Sequence, residues 1–310
     1  MGLHRLTHVT IAVPDLDATA DYYAEFGLMP SPEPSSRERG FHTTDGGEQL
    51  RLTSAPRRRL LQLGVGVDDP DDLARIASAL ARLDLATEIR DGSLAATDPG
   101  TGVQVVCAVT PRLAQQERAA PATNGPGRPD RADTRAPGVL REGPVRPRKL
   151  GHVVLGSTDQ EASQRFFTDG LGFRISDTVP GLAAFLRCST DHHNVLVQQA
   201  PLSFLHHTAW QVDDVDEVGR GATAMLQTDP TRHVWGLGRH HVGSNFFWYL
   251  KDPAGNFSEY YSDLDAIVDD QLWTPGVWDG TRGLYSWGPP PPPSFLAPDD
   301  LAELMVGAHS

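Results

Sequence analysis

An internal repeat narrows the possible folds of this chain more than any other feature. The stretch "LTHVTIAVPDLDATADYYAEFGL" (6–28) lines up with "LGHVVLGSTDQEASQRFFTDGLGF" (150–173). Each reads as an apolar strand, a polar turn, an amphipathic helix and a glycine stop. In the second copy Thr158 and Glu161 stand at capping-box spacing. Further on, "RLTSAP" (51–56) matches "LVQQAP" (196–201), "LLQLGVGVDD" (60–69) matches "LHHTAWQVDD" (205–214), and "DPGTGVQV" (98–105) matches "DPAGNFSE" (252–259). Each block therefore holds two strand–helix–strand–strand–strand units, the second opening at Leu60 and at Leu205. The expected fold is α+β, built from tandem βαβββ modules in two paired-module domains, each curling a mixed sheet around a cavity.

Between the blocks, residues 111–149 are rich in Pro, Ala, Gly and Arg and carry nine Lys/Arg against four Asp/Glu. They read as a solvated linker partly docked on the surface. Beyond Leu264 the chain turns irregular and contains "GPPPPPSF", a polyproline II stretch that suits a packed or capping tail. The expected organisation is an N-terminal domain over 1–110, the linker, a C-terminal catalytic domain over 150–263 and a tail over 264–310. Each domain is large enough for a core of its own.

The formal charge of −13 argues against nucleic acid or an anionic membrane as partner. No apolar run approaches the roughly 18–20 residues that span a bilayer, and "MGLHRLTHVTIAVPD" lacks a signal-peptide layout. Two cysteines, Cys107 and Cys188, are too few for a disulfide framework or a thiolate metal site. The expectation is a soluble cytoplasmic protein.

Eight of the twelve histidines lie between 152 and 241, and six form adjacent pairs at 192–193, 206–207 and 240–241. The repeat acts as an internal control on them. His152 aligns with His8, but His207 aligns with Gln62 and Glu259 with Val105. Two polar groups thus depart together from the N-terminal copy, which points to a joint role confined to the C-terminal block. His152, His207 and Glu259 all fall on strands. Two imidazoles and a carboxylate offer a divalent first-row ion three facial ligands and leave positions open, as in non-haem Fe(II) oxygenases; catalytic zinc accepts the same set. Strand alternation puts one ring of each pair on the cavity side. Alignment with His152 makes His207 the inward ring and His206 the outward one; period alone does not choose within 192–193 or 240–241.

The run "GRHHVGSNFFWYLKDPAGNFSE" (238–259) resembles the signature of the type I extradiol ring-cleaving dioxygenases of the vicinal oxygen chelate superfamily. A histidine precedes a tyrosine by nine residues, Asp-Pro and a glycine follow, and a glutamate stands ten beyond the tyrosine; His240, Tyr249, Asp252, Pro253, Gly255 and Glu259 fit. Trp248 departs from the aliphatic residue or Phe usual there. "WGLGRHH" is most similar to the catechol 2,3-dioxygenase and homoprotocatechuate 2,3-dioxygenase branch. The resemblance covers both blocks and implies the glyoxalase/extradiol dioxygenase fold with a metal-free N-terminal domain.

Carried over by position, it implies Fe(II), with Mn(II) as an alternative, on His152, His207 and Glu259. It also implies an acid–base histidine at His193, and His240 with Tyr249 holding substrate beside the metal. The implied reaction is meta cleavage of a catecholic substrate by O2 to a yellow product of the 2-hydroxymuconic semialdehyde type, in a homo-oligomer. Phe185, Trp235 and Phe246 are candidate pocket aromatics, and Asn245 and Arg239 candidate polar contacts. Arg187, Arg239 and Arg282 are candidates for binding a substrate carboxylate. Two other functions compete on the same scaffold. A glyoxalase-like isomerase or transferase generally needs a fourth protein ligand, and a ligand-sequestering protein would lack the facial set.

Overall fold

The computed structural model describes residues 2–32, 37–279, 283–301 and 304. In the first block, β1 (Leu3–Val13), α1 (Leu16–Glu25), β2 (Met29–Pro30), β3 (Glu38–Thr43) and β4 (Gly47–Ser54) form one module. The next is β5 (Arg59–Val67), α2 (Pro70–Arg82), β6 (Thr87–Arg90), β7 (Ser93–Thr97) and β8 (Gln104–Val109). After the short α3 (Pro137–Leu140) come β9 (Leu150–Ser157), α4 (Gln160–Arg165), β10 (Arg174–Val179), β11 (Ala183–Arg187) and β12 (Val195–Gln199). The fourth module is β13 (Phe204–Gln211), α5 (Val215–Thr228), β14 (His233–Arg239), β15 (Phe246–Lys251) and β16 (Phe257–Ser262), and the tail adds β17 (Gly276–Val277) and α6 (Pro293–Leu296).

Two mixed sheets result, ordered β2-β3-β4-β1-β5-β8-β7-β6 and β14-β15-β16-β13-β9-β12-β11-β10-β17. In every module the first strand pairs parallel with the last (β1–β4, β5–β8, β9–β12, β13–β16), and the two first strands of a sheet pair antiparallel. The opening strands therefore sit at the centre of each sheet. Every residue of β9 is buried, which explains its nearly unbroken apolar run.

The repeat is kept with small local adjustments. The second copy of the first strand–helix unit is one residue longer, and a π-helical turn over Phe166–Leu171 absorbs the extra residue. Both copies then stop at a glycine in the left-handed region, Gly27 at φ 103° and Gly172 at φ 94°. The cap of α4 is Asp159, whose side chain accepts from the Ala162 N–H, rather than Thr158, whose hydroxyl donates to the Gly100 carbonyl.

The blocks do not bury separate cores. One apolar cluster runs from Leu6 and Val9 through Leu155 and Phe166, and Phe26 stacks on Tyr260 with ring centroids 3.8 Å apart. The linker is laid down by its charges: Arg112 meets Asp68, Arg141 meets Asp214 and Glu217, and Arg148 meets Asp213 and Asp45. No helix among the described residues is long and apolar enough to cross a membrane.

Candidate metal centre and acid–base site

The three central strands β16, β13 and β9 lie side by side, and their register builds the site. Ala209 of β13 stands opposite His152 on one side and Glu259 on the other. Residues paired across a sheet share a face, and His207, two residues before Ala209, shares it too. Because Ala209 has only a methyl group, the flanking side chains close over it. His152 Nε2 comes within 3.0 Å of Glu259 Oε2, and His207 Nε2 within 3.4 Å of the same oxygen. One ligand atom from each of the three residues lies within 4.8 Å of the others, and all three residues are buried.

The N-terminal sheet provides the comparison. There Gly64 pairs with His8 and with Val106, so the counterpart of Glu259 is Val106 and not the expected Val105. The loop that starts at Asp98 is one residue longer than the one at Asp252, which the linear alignment could not register. His8 Nε2 instead bonds Gln62 Oε1 at 2.9 Å. An imidazole, an amide and a valine have replaced two imidazoles and a carboxylate.

Hydrogen bonds decide which nitrogen each ring presents. His206 Nε2 lies 2.6 Å from the Phe295 carbonyl, which can only accept, so this nitrogen carries the proton. Burial pushes the His206 pKa down to about 4, so the ring is neutral and its Nδ1 is an acceptor. That Nδ1 is 2.8 Å from His207 Nδ1, which must donate. Burial, with its imidazole neighbours, keeps His207 neutral as well, so its Nε2 lone pair is free and aimed at Glu259. His206 is therefore not the outward ring that alternation suggests. A bulge between Leu205 and His207 swings both rings toward the cavity they line. The other two pairs lie outside the strands, where alternation does not apply.

Around this centre, Asn245 Nδ2 donates to Glu259 Oε1 at 2.9 Å and leaves Oε2 to the imidazoles. His240 Nδ1 donates to the Leu284 carbonyl, so its Nε2 accepts from the Tyr249 hydroxyl at 2.8 Å. Burial lowers the His240 pKa, and burial beside the Glu259 charge raises that of Tyr249, so the pair stays neutral with the phenol as donor. The His193 ring lies 4.2 Å from that of His152, and burial among other imidazoles holds it well below its usual pKa.

The cavity at this centre has a volume of about 100 Å³ and borders His152, His193, His206, His207, His240 and Tyr249. Of the five candidate pocket residues, only Phe185 lines it. Trp235 lies behind the wall, parallel to Tyr249 at 5.7 Å. Phe246 points to the other side of β15 from Tyr249 and lies under the Arg239 guanidinium, which pairs with Asp263. Asn245 is engaged by Glu259, and Arg187 by Asp270 and Ser176. Arg282 lies outside the described residues. The wall that sequence reasoning missed is apolar: Val154, Leu196 and Val242, then Leu284, Phe295 and Leu296 from the tail. An apolar "SFL" after five prolines is the one signal that could have marked the tail residues.

These residues fit a divalent cation. His207 Nε2 is buried with no hydrogen-bond partner, a costly state for a nitrogen whose lone pair faces a carboxylate. An ion would satisfy that lone pair, the Glu259 charge and His152 together.

The chain from 149 to 260 matches the model of the Glyoxalase/Bleomycin resistance protein/Dioxygenase superfamily. It is 32% identical over 306 residues to metapyrocatechase 2 of Cupriavidus necator, covering 95% of this chain and 92% of the relative. It is also 32% identical over 139 residues to an iron-dependent extradiol dioxygenase of Rhodococcus jostii, covering 40% of this chain and 46% of that one. Among solved structures it is similar to the Mn(II)-bound glyoxalase of Novosphingobium aromaticivorans, with a TM-score of 0.75 and 25% identity over 94% of this chain and 93% of the other.

Proposed function

Because the chain belongs to the extradiol ring-cleaving dioxygenases of the glyoxalase and dioxygenase superfamily, we propose that His152, His207 and Glu259 hold its metal while His193, His240 and Tyr249 manage the proton and the developing charge. The enzyme opens a catecholic ring with dioxygen and depends on iron, and the same ligands accept manganese(II). The convergence of three ligand atoms within 4.8 Å, with the His193 ring beside them, carries the reading of the residues.

A divalent ion held by His152, His207 and Glu259 would bring catechol and dioxygen together and supply a charge that favours loss of a phenolic proton. The chain's own groups do the rest. His193, neutral at rest, takes the proton and returns it to oxygen when the O–O bond breaks; such acid–base help is worth about 10²–10⁴ in rate. The Tyr249 hydroxyl turns from His240 Nε2 to oxygen charge developing on the ring. Asn245 fixes the carboxylate, and the apolar wall limits the access of water.

The same wall argues for the substrate. Among the described residues no Lys or Arg borders the cavity, and its volume of about 100 Å³ is small beside the roughly 300–1,000 Å³ of pockets for drug-sized ligands. A single-ring catechol with a small substituent suits a cavity of this size better than a biphenyl catechol does. A non-oxidative metal reaction is the second reading, favoured by the likeness to the Mn(II)-bound glyoxalase, but it has no use for the His193, His240 and Tyr249 set. The test is anaerobic loading with Fe(II), then a panel of catechol, methylcatechols, carboxylated catechols and 2,3-dihydroxybiphenyl in air. One O2 consumed per yellow product, with methylcatechols highest in kcat/KM, is expected. Tight iron with no O2 uptake on any member would favour the second reading.

A further inference from the structure

A second imidazole relay lies behind His193 and ends on the carboxylate of Asp177 on β10. His193 Nδ1 is 3.0 Å from His192 Nδ1. His192 is fully buried, and its Nε2, which has no hydrogen-bond partner, lies 3.4 Å from Asp177 Oδ2. Asp177 sits on β10 and is pinned from the tail: Gly276 N–H donates to Oδ1 at 2.6 Å and the Trp278 indole N–H to Oδ2 at 3.0 Å. Burial works against its charge, but His192, Gly276 and Trp278 together hold its carboxyl below the usual range. An ionised carboxylate accepts only.

Resting on the acid–base reading of His193, we propose that Asp177 is a positioning residue for ring cleavage: it accepts from His192 Nε2–H, which makes His192 Nδ1 an acceptor and His193 Nδ1 a donor, and so keeps the His193 Nε2 lone pair for the cavity. The logic is that of the aspartate that sets the histidine tautomer in a Ser-His-Asp triad, with one more imidazole between. A separation of 3.4 Å is long for a hydrogen bond, and hydrogen bonds of this kind often tighten only once substrate is bound. The arrangement has a counterpart in the same molecule, where the Phe295 carbonyl orders His206 and through it His207. The proton balance is simple. The phenolic proton goes to His193 Nε2 and leaves from the same atom, while the Nδ1 proton stays on His193, donated to His192 Nδ1 throughout.

The test uses the iron-loaded full chain and the substitution Asp177→Asn. The amide keeps the shape but loses the charge and one of the two acceptor oxygens that Gly276, Trp278 and His192 share, which weakens the hold on the tautomer of both rings. Iron content and anaerobic catechol affinity should stay within about threefold of wild type, while kcat falls about 10²-fold or more. His193→Ala and the double variant should be no slower than each other, since Asp177 acts through His193. Ring ¹⁵N shifts read the arrangement directly, with His193 protonated on Nδ1 in the wild type and its Nε2 tautomer gaining population in the variant. Wild-type kcat in Asp177→Asn, losses that multiply in the double variant, or one tautomer in both proteins overturns the proposal. Wild-type turnover in His193→Ala overturns instead the acid–base reading beneath it. Should Asp177→Asn not fold, Trp278→Phe removes one pinning donor and should lower kcat in the same direction; an unchanged kcat there counts against Asp177.

Discussion

Asn245 donates to one oxygen of Glu259 and thereby leaves the other between two imidazoles. Asn245→Ala should leave the fold intact and weaken iron binding by about 10–100-fold, the usual effect of removing a group that orients a metal ligand. Competition against a graded series of chelators reads this; iron retained at wild-type affinity would return Asn245 to a substrate contact. The residue was visible in the sequence as a candidate polar contact to substrate, yet its partner was not. Residue type announces what a side chain can bond, whereas the bond it makes depends on a strand fourteen residues away.

At the scale of the element, the row His152–Ala209–Glu259 across β9, β13 and β16 makes a small residue at its centre a requirement. Ala209→Leu should wedge the flanking ligands apart, so that the purified protein carries less than about a tenth of the wild-type iron while its circular dichroism is unchanged. Full iron content in Ala209→Leu would show that the ligands do not close over this position. The turn between β15 and β16 carries a different prediction. Asp252 is buried, and burial raises its pKa to about 6 despite hydrogen bonds from Asn256. Its unfolded value is near 3.9, so the folded state binds the extra proton between these values and stability falls as pH rises from about 4 to 6. The loss amounts to roughly 2–3 kcal/mol and is constant above that window. Denaturant titrations of wild type and Asp252→Asn should therefore diverge across pH 4–6 and run parallel above it. Parallel curves throughout would mean that Asp252 titrates alike in both states.

Across the whole molecule, the tail completes the site. Phe295 and Leu296 border the cavity, and the Phe295 carbonyl orders His206. Arg58 of the N-terminal block grips the tail through Asp300 at 2.5 and 2.8 Å, and also donates to the Leu205 carbonyl and Asn256. Asp300→Ala should cost about 1–2 kcal/mol, since the carboxylate is partly exposed, and should raise the catechol KM several-fold with iron content unchanged. A KM equal to wild type would show that α6 stays seated without this clamp.

The sequence alone carried whatever depends on local period and on comparison of the chain with itself. The βαβββ modules, and His152, His207 and Glu259 as one constellation, follow from the spacing of apolar residues and from what the N-terminal copy lacks. Tertiary structure decided what depends on distant partners. A bulge at His206 overrode strand alternation, a one-residue loop difference moved the counterpart of Glu259 to Val106, and Arg239, Phe246 and Trp235 were drawn away from the cavity. The tautomers of His206 and His240 are set by the tail carbonyls of Phe295 and Leu284, more than 40 residues away in the chain. Period fixes the face a side chain occupies; only the packed chain brings up the acceptor that chooses its proton.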